Sequence, residues 1–220
     1  MALLPLFPLG TALMPGSFLP LQIFEDRYVA LLEDLLRDQE RRPPVFGVVA
    51  IRKGYEVGAT GARALHTVGC SAQLRQATSL GEDRFLIVIE GRTRFRLDAL
   101  QSEGQTPYTQ GEITWLEEIS GDERQISSLA QALRGEVAAY RATLGNEALE
   151  SPDDDRELSY WLPEALDLDL SDRQLLLASE STETRLRLSR QMVRRESALN
   201  SSLGTTNSTS RSFGGPMSPN

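Results

Sequence analysis

The chain has 220 residues, 40% of them hydrophobic and 25% charged, with a net charge of −8. That suffices for one large globular domain or two small ones with ample core. Its single cysteine, Cys70, excludes an intrachain disulfide and a cysteine-rich zinc site, and the acidic balance argues against non-specific nucleic-acid binding, which draws on Lys and Arg.

The chain opens with an apolar run, Leu3, Leu4, Leu6, Phe7 and Leu9, punctuated by Pro5 and Pro8. Proline lacks a backbone donor, so this reads as an edge or bulged strand. Gly10, Pro15 and Gly16 turn the chain, and Phe18 to Phe24 follows at hairpin distance. From Phe24 the period changes, and Phe24, Tyr28, Leu31, Leu32, Leu35 and Leu36 predict an amphipathic helix. Val45 to Ile51 is a β-branched run that predicts a buried strand. Gly54, Gly58 and Gly61 make a loop around Tyr55. Leu65 to Ala77 reads as a strand bent at Gly69, and Gly81-Glu82-Asp83 turns it back. Arg84 to Glu90 is a strongly apolar strand, interrupted by Gly91 and continued as a half-buried segment through Phe95 and Leu97. Pro107 to Leu116 closes the strand region, with a bulge expected near Gly111.

At Ser120 the texture becomes helical. Ser120 and Glu123 stand at capping-box spacing ahead of Ile126, Leu129, Leu133, Val137, Tyr140 and Leu144. Ser151-Pro152-Asp153-Asp154 reads as a second helix start, Ser171 and Gln174 as a third, and Ser181 as the head of a last helix through Leu199. Beyond Asn200 the apolar period stops. The expected division is a β-rich part over 1–119, a helical part over 120–199 and a disordered tail over 200–220.

Several of these segments resemble one family. Pro5-Leu6-Phe7-Pro8-Leu9, then Pro15, then Leu19-Pro20-Leu21-Gln22-Ile23-Phe24-Glu25 and Arg27-Tyr28 are similar to the start of the N-terminal substrate-binding domain of Lon proteases. Phe46-Gly47-Val48-Val49, Val68-Gly69-Cys70, Phe85 to Glu90, Gly91 with Arg94-Phe95-Arg96-Leu97, Pro107-Tyr108 and Gly111-Glu112-Ile113 continue the likeness. The resemblance implies an α+β fold: a PUA-like β pseudo-barrel with one early helix, followed by a small helical bundle. It also implies a standalone relative that recognises polypeptide, either unfolded substrate or a partner protein.

The chemistry of a complete Lon protease has no counterpart in these residues. The phosphate-cradling pattern G-x-x-x-x-G-K-[ST] does not occur. The one lysine, Lys53, follows an apolar strand and reads as a surface residue rather than half of a Ser-Lys dyad. His66 reads as a solvent-facing strand histidine, and Cys70 as a small packed residue. Asp153-Asp154-Asp155 fits the positive end of a helix without any metal. Arg92, Arg94 and Arg96 share one strand face at period 2. That face is either a solvated surface paired with carboxylates, which the acidic chain favours, or a site for an anion or RNA.

The expected protein is therefore a non-enzymatic binding module without cofactor or metal. Its partner would be a polypeptide, with nucleic acid disfavoured and no membrane partner; an RNA- or small-ligand-binding PUA-like module is the alternative. No apolar run approaches the ~20 residues that span a bilayer, and the N-terminus lacks a secretory signal's basic region, so a cytoplasmic location is expected. For a polypeptide-binding patch the candidates are Met14 and Phe18 in and beside the first turn and Tyr55 in the glycine-rich loop. Each could instead fold back to cap the barrel.

Overall fold

A computed structural model describes residues 2–38, 43–54, 62–101, 106–147 and 149–209. Seven strands come first, with one helix among them: β1 (Ala2–Leu9), β2 (Phe18–Ile23), α1 (Asp26–Asp38), β3 (Val45–Gly54), β4 (Ala62–Leu65), β5 (Val68–Gly81), β6 (Arg84–Leu100) and β7 (Gln110–Trp115). Four helices follow: α2 (Glu123–Thr143), α3 (Asp155–Ala165), α4 (Leu170–Ala178) and α5 (Thr182–Thr209).

The sheet closes on itself through β1. Its first half, Ala2 to Pro5, pairs antiparallel with β7, and its second half, Leu6 to Leu9, pairs parallel with β3. Each half is laddered to one strand, a situation in which proline is tolerated. The ring β1-β7-β6-β5-β3 is thereby complete, and β4 extends it as a hairpin on β3.

The spine is β6, which runs unbroken over 17 residues. β5 lies along one of its edges, while β2 and then β7 share the other. Gly91 does not interrupt this strand, contrary to expectation. It is where the first turn docks: Gly16 N–H donates to the Gly91 carbonyl at 2.8 Å, and Gly91 N–H donates to Ser17 at 2.9 Å. A Cβ at Gly91 would stand 2.0 Å from the Met14 carbonyl oxygen, so only glycine admits the turn. The bulge expected near Gly111 lies on the facing strand, at Asp98, where the register shifts between Leu97 and Ala99.

Helix starts differ from the sequence reading in a consistent way. Asp122, Asp154 and Asp169 cap α2, α3 and α4, each accepting from the backbone N–H three residues on. Both serine and aspartate cap well, and in each case an aspartate two or three residues from the expected serine takes the role. Gln174 is not a capping residue; it is buried and donates to the Val68 carbonyl at 2.9 Å, tying α4 to β5. Ser181 does head α5, accepting from Thr184 N–H at 3.1 Å. That helix continues to Thr209, past the Asn200 boundary expected for the tail, and residues 210–220 lie outside the described residues.

One hydrophobic cluster joins the strand and helical parts. It includes Leu9, Met14 and Ile87 from the strand part with Leu133, Leu162, Leu176 and Val193 from the helices. Leu4, Leu6, Val49, Phe95 and Ile113 form a second, smaller cluster inside the ring.

The junction also carries a buried ionic clasp. Arg94 of β6 is 1% exposed, which corrects the reading of the arginine face as solvated, and Arg185 of α5 is fully buried. Their neighbours in the triplet do match it, since Arg92 pairs with Glu90 and Arg96 with Asp98 at the surface. Glu118, in the link between β7 and α2, takes both buried guanidiniums: Arg94 Nε donates to Oε1 and Arg185 Nη2 to Oε2, each at 2.8 Å. Tyr160 of α3 donates to Oε1 at 2.6 Å, and its ring lies 4.0 Å beneath the Arg185 guanidinium. Arg94 further donates to the Leu177 and Ser179 carbonyls, and Arg185 to Ser159, Ser179 and Thr182.

Burial alone would raise the Glu118 carboxyl. The Tyr160 hydrogen bond and the charges of Arg185 and Arg94 outweigh it, and the net direction is down. Burial first, then the bond to Glu118, keep the Tyr160 hydroxyl protonated against the pull of Arg185.

Two outcomes are expected. Because one cluster spans both parts, Trp115 and Trp161 should report a single unfolding transition in single-tryptophan variants; separate transitions would mean autonomous units. Glu118→Gln strands two buried cations and should cost about 3 kcal/mol in denaturant unfolding at neutral pH. A carboxylate with a depressed folded pKa stabilises above its unfolded value, and that stability is lost as pH falls through the folded one. The gap between wild type and variant should therefore close as pH drops below 4.5, the unperturbed value.

Candidate functional site

β2 alternates along its length: Phe18, Pro20 and Gln22 are exposed, while Leu19 and Leu21 are half-buried and Ile23 is buried. The inward residues attach the strand to the core, and the ladder to β6 fixes its register, with Phe18 opposite Glu90 and Ile23 opposite Phe85. Among the described residues β2 pairs with no other strand, so its second edge is open. Pro20 sits in this edge strand and offers no donor there, a common protection against uncontrolled strand pairing.

Two hollows lie end to end along β2. The first, about 370 Å³, is lined by Thr11 to Met14, Ser17, Phe18 and Leu19, and across from them by Pro163 and Glu164 of α3 and Arg173 of α4. The second, about 210 Å³, is lined by Phe7 and Leu9 of β1, by Pro20 to Glu25, and by Tyr28 of α1. The β2 lining passes from one hollow to the other between Leu19 and Pro20, and this strand of six residues, about 20 Å long at the usual rise per residue, forms with its two hollows the trough along β2.

Phe18, 62% exposed, stands in the first hollow, and Phe24, 50% exposed, in the second. Leu86, opposite Gln22 on β6, adds a third exposed apolar side chain close by.

The three residues singled out for polypeptide binding fare differently. Phe18 is at the surface, in the trough. Met14 is 2% exposed and belongs to the core, which corrects its place in a surface patch. The reason is local: Ser17 Oγ donates to the Met14 carbonyl at 2.8 Å, and that carbonyl is pressed against Gly91, so the turn folds its side chain inward. Tyr55 lies outside the described residues. Phe24 fits the helical stripe in the sequence, but β2 ends at Ile23 and α1 starts only at Asp26, so Phe24 lies between them and is exposed. Glu164 and Arg173 carried no signal, because only the packing of α3 and α4 beside β2 brings them to the trough.

The residues considered for chemistry are accounted for structurally. Burial pushes the Cys70 thiol up to about 12, so it is no nucleophile at neutral pH. His66 lies between β4 and β5, half-buried, and burial followed by the Arg52 charge lowers its pKa. Lys53 is exposed near the end of β3. Asp154 caps α3 and Asp155 pairs with Arg134 at 3.2 Å. Among the described residues no group of His, Cys, Asp and Glu side chains could hold a metal ion, and no described helix is long and apolar enough to cross a membrane.

Over residues 3–195 the sequence matches the family described as the ATP-dependent protease La (LON) substrate-binding domain. The chain is 29% identical over 203 residues to a Lon protease of Anaeromyxobacter dehalogenans, covering 89% of this chain and 23% of that protein. It is 27% identical over 201 residues to Lon protease 2 of Myxococcus xanthus, covering 88% and 24%. The chain thus spans about a quarter of the length of these curated relatives. Among solved structures, a Lon N-terminal domain protein from Xanthomonas campestris superposes with a TM-score of 0.61 at 26% identity, covering 85% of this chain and 96% of that one. The N-terminal domain of a Mycobacterium avium complex Lon protease, at 16% identity, shares the fold, with a TM-score of 0.63 over 88% and 98% of the two chains. The chain belongs to the Lon substrate-binding domain family.

Proposed function

We propose that this chain is a non-catalytic module that holds polypeptide in extended form, and that the trough along β2 is where it does so. The observation that carries the reading is the trough itself: an open strand edge flanked by exposed Phe18 and Phe24. Burying such side chains supplies non-directional affinity of ~25 cal/mol per Å² before association costs, which suits a site that must accept many sequences. Family membership supports it, because the family is described by substrate binding. The alternative of RNA binding loses its main support in the arginine face. Arg94 is buried, and Arg92 and Arg96 are each spent on a neighbouring carboxylate.

Binding is best read by anisotropy with fluorescently labelled casein, which is unfolded in solution. Phe18→Ser combined with Phe24→Ser should weaken binding while leaving the melting temperature within a few degrees, since both side chains are exposed. Met14→Ser should do the reverse at the level of stability, costing at least about 2 kcal/mol as a buried methionine truncation does. Unchanged casein binding in the double variant would count against the trough. The purified chain should neither hydrolyse ATP nor cleave casein; turnover that follows the folded protein through purification would overturn the non-catalytic reading.

A further inference from the structure

Glu164 is placed where structural economy would not put a carboxylate. It is the penultimate residue of α3, at the negative end of the helix dipole, where cations rather than anions are favoured. Nothing in the last turn of α3 is basic. Among the described residues Glu164 has no hydrogen-bond or ion-pair partner, although it lines the first hollow across from Phe18. Its side chain is exposed, yet desolvation at the wall of the hollow raises its pKa, and no cationic neighbour opposes that shift. Arg173 lines the same hollow but is committed elsewhere, donating to the Leu168 carbonyl at 2.8 Å and the Pro163 carbonyl at 3.4 Å. Two other carboxylates at the strand–helix junction, Glu90 and Glu118, are each paired with two arginines. An unanswered carboxylate in a hollow that also holds an exposed phenyl ring is a receptor for a cation on an apolar stem.

We propose that the trough selects extended polypeptide segments carrying a lysine or arginine within an apolar stretch, the aliphatic stem lying beside Phe18 and Pro163 and the cationic head meeting Glu164. Long basic side chains are built for such a division, with apolar methylenes and a charged tip. The acidic chain, at −8, favours the same sign of partner at a distance. This inference rests on the polypeptide-binding reading above and adds the chemical class of its ligand.

The test uses three labelled synthetic peptides, identical apolar stretches with Lys, Gln or Glu at the central position, titrated by anisotropy against the full chain. The wild type should bind the Lys peptide about fivefold more tightly than the Gln peptide, the worth of one partly screened charge pair, and the Glu peptide most weakly. Glu164→Gln should abolish the preference, and Glu164→Lys should reverse it toward the Glu peptide. Both variants should keep the wild-type melting temperature, because the side chain is exposed at the trough wall. Equal binding of all three peptides by the wild type, or an intact Lys preference in Glu164→Gln, would overturn the inference while leaving polypeptide binding standing. A preference for the Glu peptide in the wild type would mean that Arg173 governs the hollow instead, and would also overturn it. If no peptide binds, and Phe18→Ser leaves casein binding unchanged, the broader reading fails as well.

Discussion

Two buried guanidiniums sharing one carboxylate hold the strand and helical parts of this molecule in a single arrangement. Arginine is rarely fully buried unless it is paired, and here Arg94 and Arg185 meet at Glu118. Six segments converge on that point: β6, the link before α2, α3, α4, the link between α4 and α5, and α5 itself. Main-chain bonds run beside it, from Thr182 and Glu183 to Ile119 and Ser120. Apolar contact alone would permit the helices to slide, because burial has no direction. Hydrogen bonds of fixed geometry do not permit it, and the position of α3 beside β2 follows.

That position is what gives the trough its second wall. β2 by itself would be an open strand edge with Phe18 beside it. With α3 and α4 held opposite, Pro163, Glu164 and Arg173 face it across a hollow. On the proposed reading, affinity for polypeptide would come from the apolar side chains of the strand part and discrimination from the helical part, and the clasp would act on binding without touching the bound chain.

Much of the barrel was legible because its signals are local. The apolar runs at Leu3 to Leu9, Val45 to Ile51 and Arg84 to Glu90 became β1, β3 and the first part of β6. The helical stripes of α2 and α5 needed only a period of 3.6. What escaped was set by distant partners. Arg94 looks like its neighbours Arg92 and Arg96 in the sequence, and only the end of α4 and the loop after it, packing over it, make it a core residue. Met14 sits among turn residues yet is core, because the turn is pulled onto Gly91. Phe24 satisfies the helical period of α1 but precedes its first turn. Period cannot separate a linking residue just ahead of a helix from its first residue. The residues proposed to bind are harder still to read, since exposure of Phe18 and isolation of Glu164 are properties of the packed molecule.

The closure of the ring through β1 has a consequence for how the chain is made. During synthesis β1 finds its parallel partner only when Leu6 can meet Gly47, and its antiparallel partner only when Ala2 can meet Ile113. At ordinary synthesis rates the second of these waits about 10 s. For that interval a proline-punctuated apolar strand is without its full set of neighbours. Pro5 and Pro8 then serve a second purpose, since a strand that lacks donors at two positions is a poor template for pairing with another nascent chain. The same residues that look like defects in the finished sheet protect it while it is incomplete.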